Sequence, residues 1–145
     1  MKKIMLFAGM LLALQAFSQT GQGSAKITPH KTIAANTMPA DKSKMLCKAW
    51  VLDSVEQFGV AHTPNAKEKN DGVTFMADGT FFTTSEGVAG TGTWKGNGNP
   101  YINTSVGTPE VKKMFKIMVL SDSKLVLEYQ TEDLIRIHYT YIPKQ

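Results

Sequence analysis

Three histidines, one cysteine and a scatter of carboxylates are the side chains in this sequence that could do chemistry. His30, His62 and His138 fall in separate segments. None sits in a His-x-x-x-His arrangement with an acidic neighbour, so no metal site is expected. Ser and Asp are plentiful, but Gly-x-Ser-x-Gly is absent and no Ser–His–Asp set stands out, so no catalytic residue is assigned. Gly90-Thr91-Gly92 does not open a helix and lacks the Lys-Ser/Thr of a phosphate loop; it reads as a kink in a strand. Asp53 and Glu56 are an odd number of residues apart, which on a strand puts them on opposite faces. Asp78, Asp122 and Asp133 occur in turn-like text, where Asp bonds the local backbone. The chain is therefore not expected to be an enzyme or to need a cofactor. Cys47 cannot form an internal disulfide, since it has no second cysteine. It reads as a small buried thiol, the alternative being a reactive or intermolecularly paired one.

One group of residues does suggest a site. Phe75, Phe82, Trp94, Phe115, Tyr129, Tyr139 and Tyr141 alternate along strand-like text with Ile117, Leu125, Leu127 and Ile137. Converging on one space, they would make an apolar lining with a few phenol hydroxyls, as small-molecule pockets have. The same side chains could instead fill the space and leave no cavity. The candidate ligand-binding residues are Phe75, Phe82, Trp94, Phe115, Ile117, Leu127, Tyr129 and Tyr139.

The elements that must position them follow from length and pattern. The 145 residues allow one domain, and the 19% charged content with 42% apolar residues argues against wholesale disorder. Lys2 and Lys3, an apolar run from Ile4 to Leu14, and Ala16-Phe17-Ser18 form a secretory signal with cleavage expected near Ser18/Gln19. That run is too short to cross a hydrocarbon core of about 30 Å, and no later stretch is a transmembrane candidate. The protein is thus expected to be periplasmic or secreted.

Removing Lys2 and Lys3 leaves the basic residues only two ahead of the 12 acidic ones. Arg136 is the only Arg and the Lys residues are scattered, so nucleic-acid binding is not expected. Residues 19–45 are rich in small polar residues with Pro29 and Pro39, and read as a flexible linker. A short helical turn before Leu46 is expected there, with Asp41 available to cap it.

From Leu46 the text breaks into short β-type runs: 47–57, 72–77, 80–85, 90–95, 100–104, 113–120, 124–131 and 133–142. Asp78-Gly79 predicts a two-residue hairpin turn, pairing Phe75 with Phe82 and Met76 with Phe81. Turns centred on Asp122 and Glu132 would face Val119 with Leu125, Ile117 with Leu127, Tyr129 with Ile135 and Leu127 with Ile137. That register gathers the apolar alternates on one side. Eight runs at roughly 12-residue spacing, joined by hairpin turns, predict an all-β, eight-stranded antiparallel up-and-down β-barrel over 46–145. The longer link from Gly59 to Asp71 is the exception, and no helical crossover is available for a parallel sheet.

Leu46-Cys47-Lys48-Ala49-Trp50-Val51-Leu52, Asp71 to Phe81, Gly90-Thr91-Gly92-Thr93-Trp94-Lys95 and Phe115 to Leu127 together resemble the small bacterial lipocalin-like domains of exported Bacteroidetes proteins. Lipocalins commonly open with Gly-x-Trp, the Trp plugging the barrel base; here Lys48-Ala49-Trp50 keeps the Trp without the Gly. The resemblance implies a calycin-like barrel holding a small apolar or amphipathic ligand without covalent chemistry. In fatty-acid-binding relatives an Arg-x-Tyr on the last strand holds the carboxylate. Arg136-Ile137-His138 stands in that place, but the register above puts Arg136 outside. The alternative is a filled barrel acting through its surface, with self-association through an outer apolar cluster of Met76, Phe81, Met118 and Leu120.

Overall fold

The computed structural model describes residues 38–145. The expected signal segment and the linker up to residue 37 lie outside the described residues. The described chain begins with helix α1 (Ala40–Leu46), inside the stretch expected to be a flexible tether. Pro39 occupies its N-cap and no side chain caps it, so Asp41 acts only as an acidic residue in the first turn, where the helix dipole favours it. Burial holds this short helix in place. Leu46 is fully enclosed and its carbonyl accepts the Trp50 indole N–H at 3.0 Å.

Nine strands follow, β1 (Ala49–Gln57), β2 (Val60–His62), β3 (Gly72–Phe75), β4 (Thr80–Ser85), β5 (Val88–Gly96), β6 (Tyr101–Val106), β7 (Val111–Leu120), β8 (Leu125–Gln130) and β9 (Arg136–Pro143). All pair antiparallel with their chain neighbours except that β3 joins β1 directly, and β9 returns to β1. Eight strands therefore close an up-and-down barrel. β2 is an addition inside the long Gly59–Asp71 link, where it pairs with the end of β1 through Gln57↔Val60 and Val55↔His62.

Register departs from expectation at the turns. The β3–β4 connection is longer than a two-residue loop: Met76 N–H donates to the Thr80 carbonyl and Gly79 N–H to that of Met76. Only Gly79 is left-handed there, at φ +88. This turn pairs Phe75 with Phe81 rather than Phe82. A one-residue slip exchanges the two faces of a strand, so Phe81 is buried at 4% exposure while Phe82 stands outside at 42%. The two-residue turn occurs one hairpin later, at Glu86 (φ +50) and Gly87 (φ +78), both with the positive φ such a loop needs. Buried Asp71 secures it, accepting the Glu86 N–H at 2.7 Å and the Gly87 N–H at 3.2 Å.

The C-terminal ribbons keep their expected inner face. Ile117 faces Leu127 as anticipated, but Tyr129 pairs with Ile137 and Leu127 with Tyr139, a shift of two residues that preserves the face. The shift comes from the β8–β9 turn, which repeats the β3–β4 pattern: Thr131 N–H donates to Ile135 and Leu134 N–H to Thr131. A bulge after Ile117 then pairs Val119 with Val126 and Leu120 with Leu125, so Leu120, not Val119, turns inward. Gly90-Thr91-Gly92 runs as regular strand within β5, and a Cβ on Gly92 would strike the Ser105 backbone, so β5 and β6 approach closely there.

Two predictions follow from the turns. Leu134 occupies, at φ +63, the position that Gly79 fills in the equivalent turn, and its side chain is 75% exposed. Leu134→Gly should raise unfolding stability by about 0.5 kcal/mol, whereas Gly79→Ala should lower it by about 1 kcal/mol, measured as urea midpoints. Equal or reversed shifts would show that the backbone at these turns is not under this constraint. Asp71→Ala, which orphans the two N–H groups of the β4–β5 turn, should cost about 2–3 kcal/mol, and Asp71→Asn less.

Candidate functional site

The base of the barrel is filled. Trp50, Phe75, Leu46, Ile102, Leu125 and Leu127 are enclosed, with Phe81, Trp94, Val73 and Tyr141 nearly so. Phe75 lies at the centre, 5.1 Å from the Phe81 ring and 5.5 Å, edge-on, from Trp94. The Trp94 indole N–H donates to the Met76 carbonyl at 2.8 Å, tying β5 to the β3–β4 turn. Lys48 reaches the β7–β8 turn at the Asp122 carbonyl, and Lys42 the β5–β6 turn at Asn99. This end is plugged by Trp50 and tied beneath by α1.

The opposite end is lined but not filled. Phe115, Ile117, Tyr129, Ile137 and Tyr139 alternate inward with the enclosed residues, yet each remains partly exposed. Phe115 links the phenols, its ring 5.6 Å from Tyr129 and 6.5 Å from Tyr139, and Tyr139 stacks at 6.4 Å on Tyr141. Cross-strand pairing fixes them: Phe115 opposes Ile102 and Tyr129, and Tyr139 opposes Leu127 and Val55. Of the eight candidate residues, Phe115, Ile117, Tyr129 and Tyr139 come together at this mouth. Phe75, Trp94 and Leu127 are packed into the base, and Phe82 is excluded to the outer wall by the slipped hairpin.

Three other expectations are revised or located. Of the proposed outer apolar cluster, Met76 and Met118 are exposed, but Phe81 is in the core and Leu120 packs against it. Asp53 is exposed in a bulge of β1 between Leu52 and Ser54, which breaks the alternation so that both Asp53 and Glu56 reach the outside. Arg136 is exposed on the outer wall, as its register implied. His138 also faces outward, with Nε2 3.0 Å from Glu128 and Nδ1 3.6 Å from Glu56. The two carboxylates take opposite nitrogens of one ring, an arrangement that braces β1, β9 and β8 and does not converge on a cation. Among the described residues no group of His, Cys, Asp and Glu could hold a metal ion, and no helix is long and apolar enough to cross a membrane. Cys47 is half-buried, and desolvation pushes its thiol above the ordinary value, away from thiolate reactivity.

Residue-by-residue reading of the sequence missed Lys113. It lies two positions before Phe115 and opposite buried Thr104, so it shares the inner face, and its ammonium sits 5.3 Å over the Tyr129 ring. The signal was its even spacing from Phe115 and Ile117, hidden because a charge is not looked for on an apolar face. Two concavities open to solvent, and neither includes Phe115, Tyr129 or Tyr139. One of about 880 Å³ lies mostly along outward residues of β5–β7 but also touches Trp94, Thr104 and Lys113, and one of about 420 Å³ lies between Phe58 and Leu134.

With this geometry in view, the chain can be placed. The sequence profile of the lipocalin-like domain family matches residues 46–127, more than half of the chain, and the protein belongs to that family. A lipocalin-like protein from Bacteroides uniformis ATCC 8492, known from its crystal structure, superposes with a TM-score of 0.55 at 19% identity. The match covers 69% of this chain and 99% of that one, a likeness of fold. Among curated proteins none matches.

The inner-face phenols predict a pH response. Burial, and secondarily Tyr139, push the Tyr141 phenol well above the ordinary tyrosine value; burial, and secondarily Tyr129, raise that of Tyr139. Both phenols are therefore held neutral in the fold. Below about pH 10 the folded and unfolded chains are both protonated and this stability is fully present; above it the unfolded chain ionises first and stability falls. Tyr141→Phe should remove up to about 1.4 kcal/mol per pH unit from that alkaline slope, read from urea unfolding at pH 9 to 11. An unchanged slope would mean that Tyr141 is not shielded.

Proposed function

We propose that this protein is an exported binding protein that holds a small apolar or amphipathic ligand in the mouth of its barrel, without covalent chemistry. The observation that carries this reading is the division of the inner face. Residues of the base are enclosed, while Phe115, Ile117, Tyr129, Ile137 and Tyr139 project inward and stay partly wet. Apolar surface that folding leaves uncovered inside a concave wall gains on contact with a ligand, at about 25 cal/mol per Å² removed from water. The phenol hydroxyls supply the few polar contacts that orient one. Family membership and the shared fold support a binding role; they name no ligand.

The rim favours the same end. Phe58, Val60, Val88, Val111 and Leu134, each more than half exposed, sit on the turns or strand ends around this mouth. Phe58 and Leu134 hold the positive φ that their turns require, a conformation costly for both, and each presents its side chain at this rim. An apolar fluorescent probe is expected to bind with one-to-one stoichiometry and to weaken by about tenfold on Phe115→Ala or Tyr139→Ala. Phe82→Ala, on the outer wall, should leave binding unchanged. Absence of saturable binding across chemically different probes would refute the ligand role and leave the filled, surface-acting module as the better account.

A further inference from the structure

We infer that the ligand of this mouth carries an anionic headgroup and that Lys113 supplies its countercharge, an inference that rests on the binding role proposed above. Apart from Asp71, the inner wall is otherwise built from apolar and uncharged polar groups, and Lys113 is set into it by register. It pairs with Thr104, which is buried, and alternates with Phe115 and Ile117. Its neighbour Lys112 faces outward and is neutralised by Glu110 at 3.1 Å. Lys113 has no such partner: among the described residues no carboxylate lies within ion-pair distance of its Nζ, which rests instead over the Tyr129 ring at 5.3 Å. The buried carboxylate of the barrel, Asp71, is committed to the Glu86 and Gly87 N–H groups.

A ring face holds an ammonium without consuming its hydrogen-bond donors. Lys113 is thereby parked at the lip of an apolar depression, with its N–H groups free for an anion. Lys113 is itself exposed, so the pair gains mainly through charge-assisted hydrogen bonds. Tyr129 lies directly beneath, and Tyr139 joins it through their common contact with Phe115. The two phenols can donate to the same headgroup while the ligand's chain lies on Phe115, Ile117 and Ile137. Arg136 on the last strand is exposed on the outer wall and offers the lumen no charge. Carboxylate, sulfate and phosphate monoester share the required chemistry.

The test is displacement of the bound apolar probe from the full-length protein by decanoate, decyl sulfate, decyl phosphate, 1-decanol and decyltrimethylammonium. These share a ten-carbon chain, and each is used below its micellar concentration at pH 8. At least one anion is expected to displace the probe at about tenfold lower concentration than 1-decanol, with the cation weakest. The ranking of the three anions identifies the headgroup. Lys113→Met should bring the anions to within about twofold of 1-decanol and leave 1-decanol itself unchanged, while Lys113→Arg and the outward Lys112→Met preserve the preference. If 1-decanol competes as well as every anion, or if Lys113→Met keeps the preference, the inference fails while the ligand role stands. If neither the probe nor any amphiphile binds, both fall.

Discussion

Closure of the sheet between β1 and β9 is the constraint on which the rest depends. Pairing from Trp50↔Pro143 to Gln57↔Ile137 removes the edges that β1 and β9 would otherwise present, and it turns a period-two pattern into an inside and an outside. Two bulges keep that distinction correct along strands too long to alternate evenly. At Asp53 the bulge lets Trp50 and Leu52 point inward before it and Val55 after it, holding Glu56 outside against His138. Beyond Ile117 the second bulge does the same for Leu120 and Val119. Without them a carboxylate would enter the lumen and a leucine would leave it, each at a cost of a few kcal/mol.

Much of the architecture was legible because the alternation in β7, β8 and β9 is strong: eight inward apolar or aromatic residues, Phe115 to Tyr141, share one parity. The eight barrel strands and the short helix before Leu46 follow from such patterns and from turn residues. What was not legible was which turn each Asp or Gly would adopt. Asp-Gly is the usual text of a two-residue loop, but at Asp78-Gly79 the Asp side chain accepts the Thr80 N–H at 2.8 Å and the chain forms a longer turn. The price was one residue of register and the placement of Phe82. At Glu86-Gly87 an unpromising pair takes the tight loop because a distant carboxylate, Asp71, collects its N–H groups, and no local pattern announces that. β2 escaped notice for a related reason, since three exposed residues carry no alternation.

The candidate site was half legible. Sequence could nominate inward residues but not say how far along the barrel each would sit, and that depth decides its role. Phe75, Trp94 and Leu127 belong to the plug, and Phe115, Ile117, Tyr129 and Tyr139 to the mouth. The uneven packing has a simple origin. Both tryptophans, α1 and the Phe75–Phe81 pair crowd one end, while at the other end the inner positions 90 and 92 of β5 are glycines, which contribute no side chain because the Ser105 backbone and Val106 approach too closely for one.

The protein is therefore one barrel with a dry base and a wet mouth. Methyl NMR with a soluble paramagnetic gadolinium chelate reads this directly. The Ile137 and Ile117 methyls should relax measurably faster with added chelate, while those of Ile102, Leu125 and Leu127 stay unaffected. Equal protection of all five would mean a filled barrel with no accessible lumen, and broadening of Leu125 and Leu127 would mean that the inner face had been assigned to the wrong side.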